Sequence, residues 1–331
     1  MIYFIPSLGA LLLLAVSAAA QEAPKSLVSG EILFEVQNDW ATHSGDAEAR
    51  RNDLFANIEA AIKARLTPAL SAKSELIFTP VTDPEPGKDR TFGDQGVFVE
   101  KLYLEYTREA FALRAGKFGQ KFGIAWDAAP GIWGTDFAEG YELAEQIGVA
   151  VDATLDAGTA GRHTMTLGTF FADTTVLSES LVTNRHRTRK ANGGAGNTED
   201  FSSFSVAVEG GDIKATPGLG YHLAYVTRGS DAAGESNEHG YAAALSYKRN
   251  IGAIEIAPLI EYVRQNNQAG VTGTDVRFLT TALALTRGKW NLALSHTARR
   301  TEATGAADVD DRIMQASVGY SFDNGIGINA G

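Results

Sequence analysis

The chain has no cysteine, only six histidines and nine prolines in 331 residues. Without cysteine there is no disulfide, no thiolate-bound zinc, no cysteine nucleophile and no CxxC redox chemistry. Positive charge is also short, with 29 Lys and Arg against 40 Asp and Glu, a formal net charge of −11. A duplex nucleic-acid binder needs a basic face for the phosphates, so that class is excluded. Mean hydropathy is slightly negative, which leaves no room for a bundle of membrane helices. Glycine, by contrast, is plentiful, with 35 residues spread along the chain. That is high for a helical protein, because each interior glycine weakens a helix. The length permits two domains or one large barrel.

The first twenty residues carry no charge. Their apolar stretch, Leu8 to Val16, ends in Ser17-Ala18-Ala19-Ala20. Small residues at Ala18 and Ala20 fit a signal-peptidase site, with cleavage after Ala20. The absence of Lys or Arg before the apolar stretch is atypical of a leader, and a single-pass helical anchor is the alternative. The expected layout is a signal peptide over 1–20 and one folded unit over 21–331.

From there the chain alternates with period two. Ala56, Ile58, Ala60, Ile62, Ala64 and Leu66 form one set, and Asn57, Glu59, Ala61, Lys63 and Arg65 the other. In a strand the two sets lie on opposite faces. Leu102, Leu104 and Tyr106 oppose Lys101, Tyr103 and Glu105, and Met314, Ala316, Val318 and Tyr320 oppose Gln315, Ser317 and Gly319. The pattern predicts fourteen strands between Glu31 and Phe322 and the start of a fifteenth at Ile326. Each is roughly 9–12 residues, the length a tilted membrane-spanning strand needs. Strands of soluble sandwiches are nearer 5–6.

The connections alternate between short turns and long polar loops, the latter at 41–53, 80–96, 117–144, 172–200, 228–238, 265–274 and 300–311. Short turns on one side and long loops on the other is the plan of an outer-membrane barrel. In lipid an antiparallel sheet satisfies its backbone groups only by closing on itself. The charged and hydroxylic sets then face a wet lumen, since they are costly in a dry core. Trp40, Tyr106, Tyr225, Tyr247, Tyr262, Trp290 and Tyr320 fall near strand ends, as interfacial aromatic girdles do. The alternative is a soluble barrel or solenoid with the apolar face as its core, which the Ala and Ser on that face would fill poorly. The expected fold is therefore all-β, an antiparallel transmembrane β-barrel.

The leader, the alternating strands and the loop parity resemble Gram-negative outer-membrane porins. Arg114-Ala115-Gly116-Lys117-Phe118-Gly119-Gln120-Lys121-Phe122-Gly123 is similar to the GKF…FG segment of phosphate-selective-type porins, a motif that does not carry phosphate selectivity by itself. Read physically, Gly116, Gly119 and Gly123 let a strand end bend sharply into a loop. The chain departs from the family in ending at Asn329-Ala330-Gly331, where porins close on an aromatic residue. The expectation is a chain truncated inside strand fifteen, with sixteen strands in full.

The resemblance implies a third long loop folded into the lumen to narrow it, which places the constriction at 117–144. That loop carries Asp127, Asp136, Glu139 and Glu142. The facing wall candidates are Lys63, Arg65, Lys73, Lys101 and Arg114. Charged side chains at a narrow point set ion preference. Two alternatives stay open: the loop lies outside with its acids solvated, or the wall bases form cross-strand pairs with Glu59, Glu75, Glu105 and Asp152 as a structural ladder. A weak cation preference is expected from the net charge.

The basic run Arg185, His186, Arg187, Arg189 and Lys190 is read first as a solvated loop, with lipopolysaccharide phosphates as the alternative ligand. No enzyme is expected. Ser295 and His296 are neighbours on a strand and point to opposite faces, and neither G-x-S-x-G nor H-E-x-x-H is present. No cofactor and no metal site are expected. The implied function is passive diffusion of small hydrophilic solutes and ions, with a channel selective for phosphate or another small anion as the alternative and a structural barrel as the third. The implied partners are outer-membrane lipid, lipopolysaccharide and, as porins of this kind are usually trimers, two further copies of the chain.

Overall fold

The computed structural model describes Ala10–Ala15 and residues 27–331. Its fold is one antiparallel sheet in which neighbours in sequence are neighbours in space. The principal strands are β1 (Val28–Trp40), β2 (Asn52–Arg65), β3 (Leu70–Pro80), β4 (Gln95–Arg108), β5 (Phe111–Phe118), β6 (Gln146–Asp156), β7 (Arg162–Ala172), β8 (Ser203–Gly211), β9 (Leu219–Arg228), β10 (Glu238–Tyr247), β11 (Ile254–Asn266), β12 (Thr274–Arg287), β13 (Trp290–Ala303), β14 (Val309–Ser321) and β15 (Ile326–Ala330). These are the fourteen strands and the fifteenth start that the alternation predicts. The short turns and long loops keep their expected parity.

The sixteen-strand expectation is not met among the described residues. Besides the fifteen principal strands there are four short pieces: Ala10–Ala15, Arg90–Thr91, Leu181–Val182 and Arg249–Ile251. The last three are loop and turn segments that pair briefly with a strand already in the wall. Strands β1 and β15 share no ladder with each other among the described residues, and Ala10–Ala15 pairs antiparallel with both. The cleavage site expected after Ala20 lies outside the described residues.

The sheet is inside-out by the standards of a water-soluble protein. Leu104, Leu223, Tyr241, Leu245, Leu279, Leu294 and Val318 are exposed on its outer face. Ser205, Thr280, Thr297, Glu261 and Gln315 are buried on its inner face. A contiguous apolar belt of this extent marks a surface built for something other than water. Aromatic side chains gather at both rims of the belt. Trp290 packs on Tyr320 at 4.9 Å and Tyr320 on Phe322 at 4.8 Å at the short-turn end. Tyr225 packs on Phe204 at 5.9 Å and on Tyr241 at 5.2 Å toward the long-loop end.

One irregularity matters for the interior. Glu75 pairs with Lys101 and Leu76 with Val99, so Glu100 is the extra residue of a bulge in β4. A bulge re-aims the side chains beside it. Here the inward parity of Phe98 above and Lys101 below places both Glu100 and Lys101 on the inner face.

Candidate constriction inside the barrel

The segment between β5 and β6, residues 119–145, runs into the space the sheet encloses. Phe122, Ala125, Ala129, Phe137, Ala138, Tyr141 and Leu143 form one apolar side, buried against Phe170, Val226, Leu259, Val263, Val276, Phe278 and Ile313 of the wall. The segment has one short helix, Ala125–Ala128, and one 3-10 turn, Ala138–Tyr141. Its contacts reach round the wall. Gln315 of β14 donates from Nε2 to the Pro130 carbonyl at 2.9 Å. The Arg299 guanidinium of β13 lies 4.5 Å from the Phe137 ring centroid. Lys121 pairs with Glu209 of β8 at 3.3 Å.

The firmest tether is Glu261 of β11, whose side chain is almost fully buried. Its carboxylate accepts the Ile124 N–H at 2.6 Å and the Ala125 N–H at 2.9 Å. It also accepts the Tyr141 hydroxyl. Backbone N–H groups at a helix start have no intrahelical partner, and a carboxylate there satisfies them. Burial and the neighbouring Glu261 charge both push the Tyr141 phenol up from its ordinary value, which keeps it a donor. Trp126 folds back within the segment, donating from Nε1 to the Phe122 and Gly123 carbonyls at 3.2 Å.

The stems are clamped by a buried charge cluster. Lys117, 1% exposed, pairs with Glu145 and with Asp173, each at 2.7 Å, and donates to the Leu177 carbonyl at 2.9 Å. Arg185 closes on the same Glu145 at 2.9 and 2.5 Å and stacks 3.8 Å over Phe98. Of the basic run, Arg185 is thus folded into the rim. Arg187 donates to the Thr174 carbonyl at 2.7 Å, and Lys190 pairs with Asp231 at 2.8 Å. His186, Arg187, Arg189 and Lys190 are exposed.

Of the motif glycines, two are required by geometry. Gly116 has φ +136, and a Cβ there would stand 2.5 Å from the Leu102 carbonyl oxygen. Gly123 has φ +68, and a Cβ there would stand 2.7 Å from Tyr141 Cε2. Gly119 has ordinary room. Gly123→Ala combines positive φ with a clash, so a loss of roughly 1–3 kcal/mol is expected. Thermal unfolding of the refolded variant in detergent checks this, and an unchanged midpoint would refute it.

The four acids of the segment are placed as follows. Asp127, Asp136 and Glu139 are exposed to the lumen and Glu142 is half-buried. Glu139 accepts the Thr135 hydroxyl at 2.9 Å. Asp136 has its carboxyl raised to about 7 by desolvation, with Glu139 and Asp39 adding to the rise. Glu142 is likewise raised to about 7 by desolvation and by Glu100 and Glu139, against a lowering from Lys101.

The wall bases are mostly paired along the sheet. Lys73 meets Glu105 at 2.7 Å, Lys101 meets Glu75 at 3.0 Å, and Arg114 meets Asp152 at 2.7 Å. That is the cross-strand ladder of the alternative reading. Lys101 is also a charge neighbour of Glu142. Lys63 and Arg65 sit at the short-turn end of β2, away from the acids of the segment. Sequence reasoning did not single out Glu261, Glu100, Gln315 or the Asp173–Glu145 pair. Lys117 stood in the quoted motif. Glu261 is one inward acid among many, and nothing in its neighbours marks it.

No protein-family model matches the sequence, and no curated protein matches it. Several solved structures resemble the fold. The outer membrane protein OccK1 (OpdK) of Pseudomonas aeruginosa is 11% identical, with 96% of this chain and 78% of that chain covered and a TM-score of 0.49. A loop L8 deletion mutant of OmpT, an outer membrane protein of Vibrio cholerae, is 11% identical over 99% of this chain and 98% of that chain, TM-score 0.49. The outer membrane channel DcaP of Acinetobacter baumannii is 8% identical over 98% and 94%, TM-score 0.48.

Proposed function

We propose that the protein is a Gram-negative outer-membrane porin, a channel for passive diffusion of small hydrophilic solutes and ions. The observation that carries this reading is the inverted polarity of the sheet. Apolar side chains face outward, polar ones face inward, and a tethered acidic segment crosses the enclosed space. Because the apolar side of that segment packs on β7 to β14, its acids face β1 to β4. Asp127, Asp136, Glu139 and Glu142 then line the narrowest passage, with Lys101 across from them and Lys63, Arg65, Lys73 and Arg114 nearer the short-turn mouth. Lipid and lipopolysaccharide cover the outer belt. Ala60, Ala64, Ala72 and Ser74 on adjacent strands offer a flat patch on which copies of the chain pack as a homotrimer.

Single-channel recording in a planar bilayer tests this. Ohmic steps from the refolded protein support it, and a folded protein that passes no current sinks it.

The two raised acids set a pH dependence. A carboxyl with its pKa near 7 is charged above that pH and neutral below it, so acidification from 8 to 6 removes negative charge from the passage. The cation preference read from reversal potentials in a salt gradient is expected to fall over that window. A preference flat from pH 8 to 6, or one that strengthens on acidification, would contradict the assignment of Asp136 and Glu142 to the passage.

A further inference from the structure

The register of the first four strands places Ser29 opposite Lys63, Lys63 opposite Lys73, and Lys73 opposite Tyr103. Two ammonium groups therefore face each other directly across the inner wall. Like charges directly opposite destabilise a sheet, so such a pair calls for an anion between them. Lys73 is half offset by Glu105 at 2.7 Å, and Lys101, on the next row, by Glu75 at 3.0 Å. Lys63 has no acid partner among the described residues. One row along β1, Glu31 has no base partner among the described residues either, and its opposite number is Ala61.

These groups border one open cleft of about 620 Å³, lined by Ser29, Glu31, Lys63, Lys73, Lys101 and Tyr103 among others. The space beside Tyr103 is kept open by Gly116, which stands opposite it with no side chain. The cleft thus holds one unpaired cation and one unpaired anion on adjacent strands, diagonal to each other. Diagonal neighbours stand about 7–8 Å apart, a span that a ligand with its own separated charges bridges.

We infer that this cleft is a binding site for small zwitterions bearing a carboxylate and an ammonium group. The carboxylate lies between Lys63 and Lys73 within reach of the Ser29 hydroxyl, and the ammonium lies on Glu31. This rests on the channel reading above and names a solute class for it. Tyr103, with the Lys73 ammonium already 5.8 Å from its ring centroid, forms the floor.

The test uses single open channels of the whole chain at pH 7 with glycine, acetate, ethylammonium or inorganic phosphate added on either side. Glycine is expected to reduce the current saturably at concentrations on the order of millimolar, and the three single-charge or dianionic probes to act at least about tenfold more weakly, since each lacks one charge-assisted contact. Lys63→Gln and Glu31→Gln are each expected to weaken the glycine block by about tenfold. Glu31→Gln is also expected to bring acetate level with glycine. Block by acetate or phosphate equal to that by glycine in the unaltered channel overturns the zwitterion assignment in favour of a plain anion site. Full conductance with no block by any probe overturns the site and leaves the channel reading standing. A folded protein with no conductance overturns the channel reading itself. Variants that conduct normally are folded, so loss of block in them reads binding alone.

Discussion

Glu261→Ala is expected to open the channel, giving a larger and noisier single-channel current than the unaltered protein. Among the described residues, the carboxylate is the wall group that holds both the helix start of the inward segment, through Ile124 and Ala125, and its 3-10 turn, through Tyr141. Each buried donor left unsatisfied costs about 1–3 kcal/mol, so docking of the segment weakens by several kcal/mol. The segment then leaves the wall, where water satisfies the freed groups. Glu261→Gln keeps one acceptor oxygen and the packing volume, so its current should lie between the two. Protease nicking between residues 119 and 145 should rise in the same order. An Ala variant with unchanged conductance and unchanged nicking would show that the apolar packing of Phe122, Tyr141 and Phe278 alone holds the segment.

Lys117→Met is expected to lower the stability of the folded barrel by roughly 3–5 kcal/mol, the effect of removing one partner from a buried ion pair. Lys117 and Asp173 are both about 1% exposed, so Asp173 would be left charged with no counter-ion beside it. Glu145 keeps Arg185 at 2.5 Å, which limits the damage to the Asp173 side. The double change Lys117→Met with Asp173→Asn should therefore be milder than Lys117→Met alone, because no uncompensated charge remains. Urea unfolding of the refolded proteins measures both. A double variant at least as unstable as the single one would mean that Lys117 acts through packing of its stem and not through its charge.

These two residues also show how unevenly the interior could be read beforehand. Lys117 sits in the Gly116-Lys117-Phe118 stretch that marked the strand-to-loop bend, so its position was conspicuous while its role was not. Its acid partners come from residues 28 and 56 positions further on, Glu145 and Asp173, and no local pattern links them. Glu261 lies between Ile260 and Tyr262 in a regular alternation. Alternation says only that it faces inward. That it meets residues 124, 125 and 141 depends on how the sheet curls and how far the segment reaches across. The ladder pairs Lys73–Glu105 and Arg114–Asp152 were legible as a type, since inward bases and acids on neighbouring strands pair when the register allows. The opposition of Lys63 and Lys73 was not, because register depends on the Thr67 to Ala69 turn that joins β2 to β3.

What the sequence determined by itself is the wall. Side chains in a strand alternate with period two, and an apolar set facing a polar set over ten residues admits one orientation of each strand once one side meets hydrocarbon. Strand positions, loop parity and the inward or outward sense of residues such as Lys101, Leu104, Leu294 and Gln315 follow from that local rule. Only the tertiary structure decided what fills the enclosed space. The segment 119–145 has little regular structure, and its place depends on contacts with β8, β11, β12, β13 and β14, up to 185 residues away in the case of Gln315 and Pro130. Such contacts form between side chains whose neighbourhood exists only after the sheet has curved. The physical reason for the divide is range: strand polarity is written into adjacent residues, whereas the width and charge of the enclosed space depend on groups brought together by the curling of the sheet.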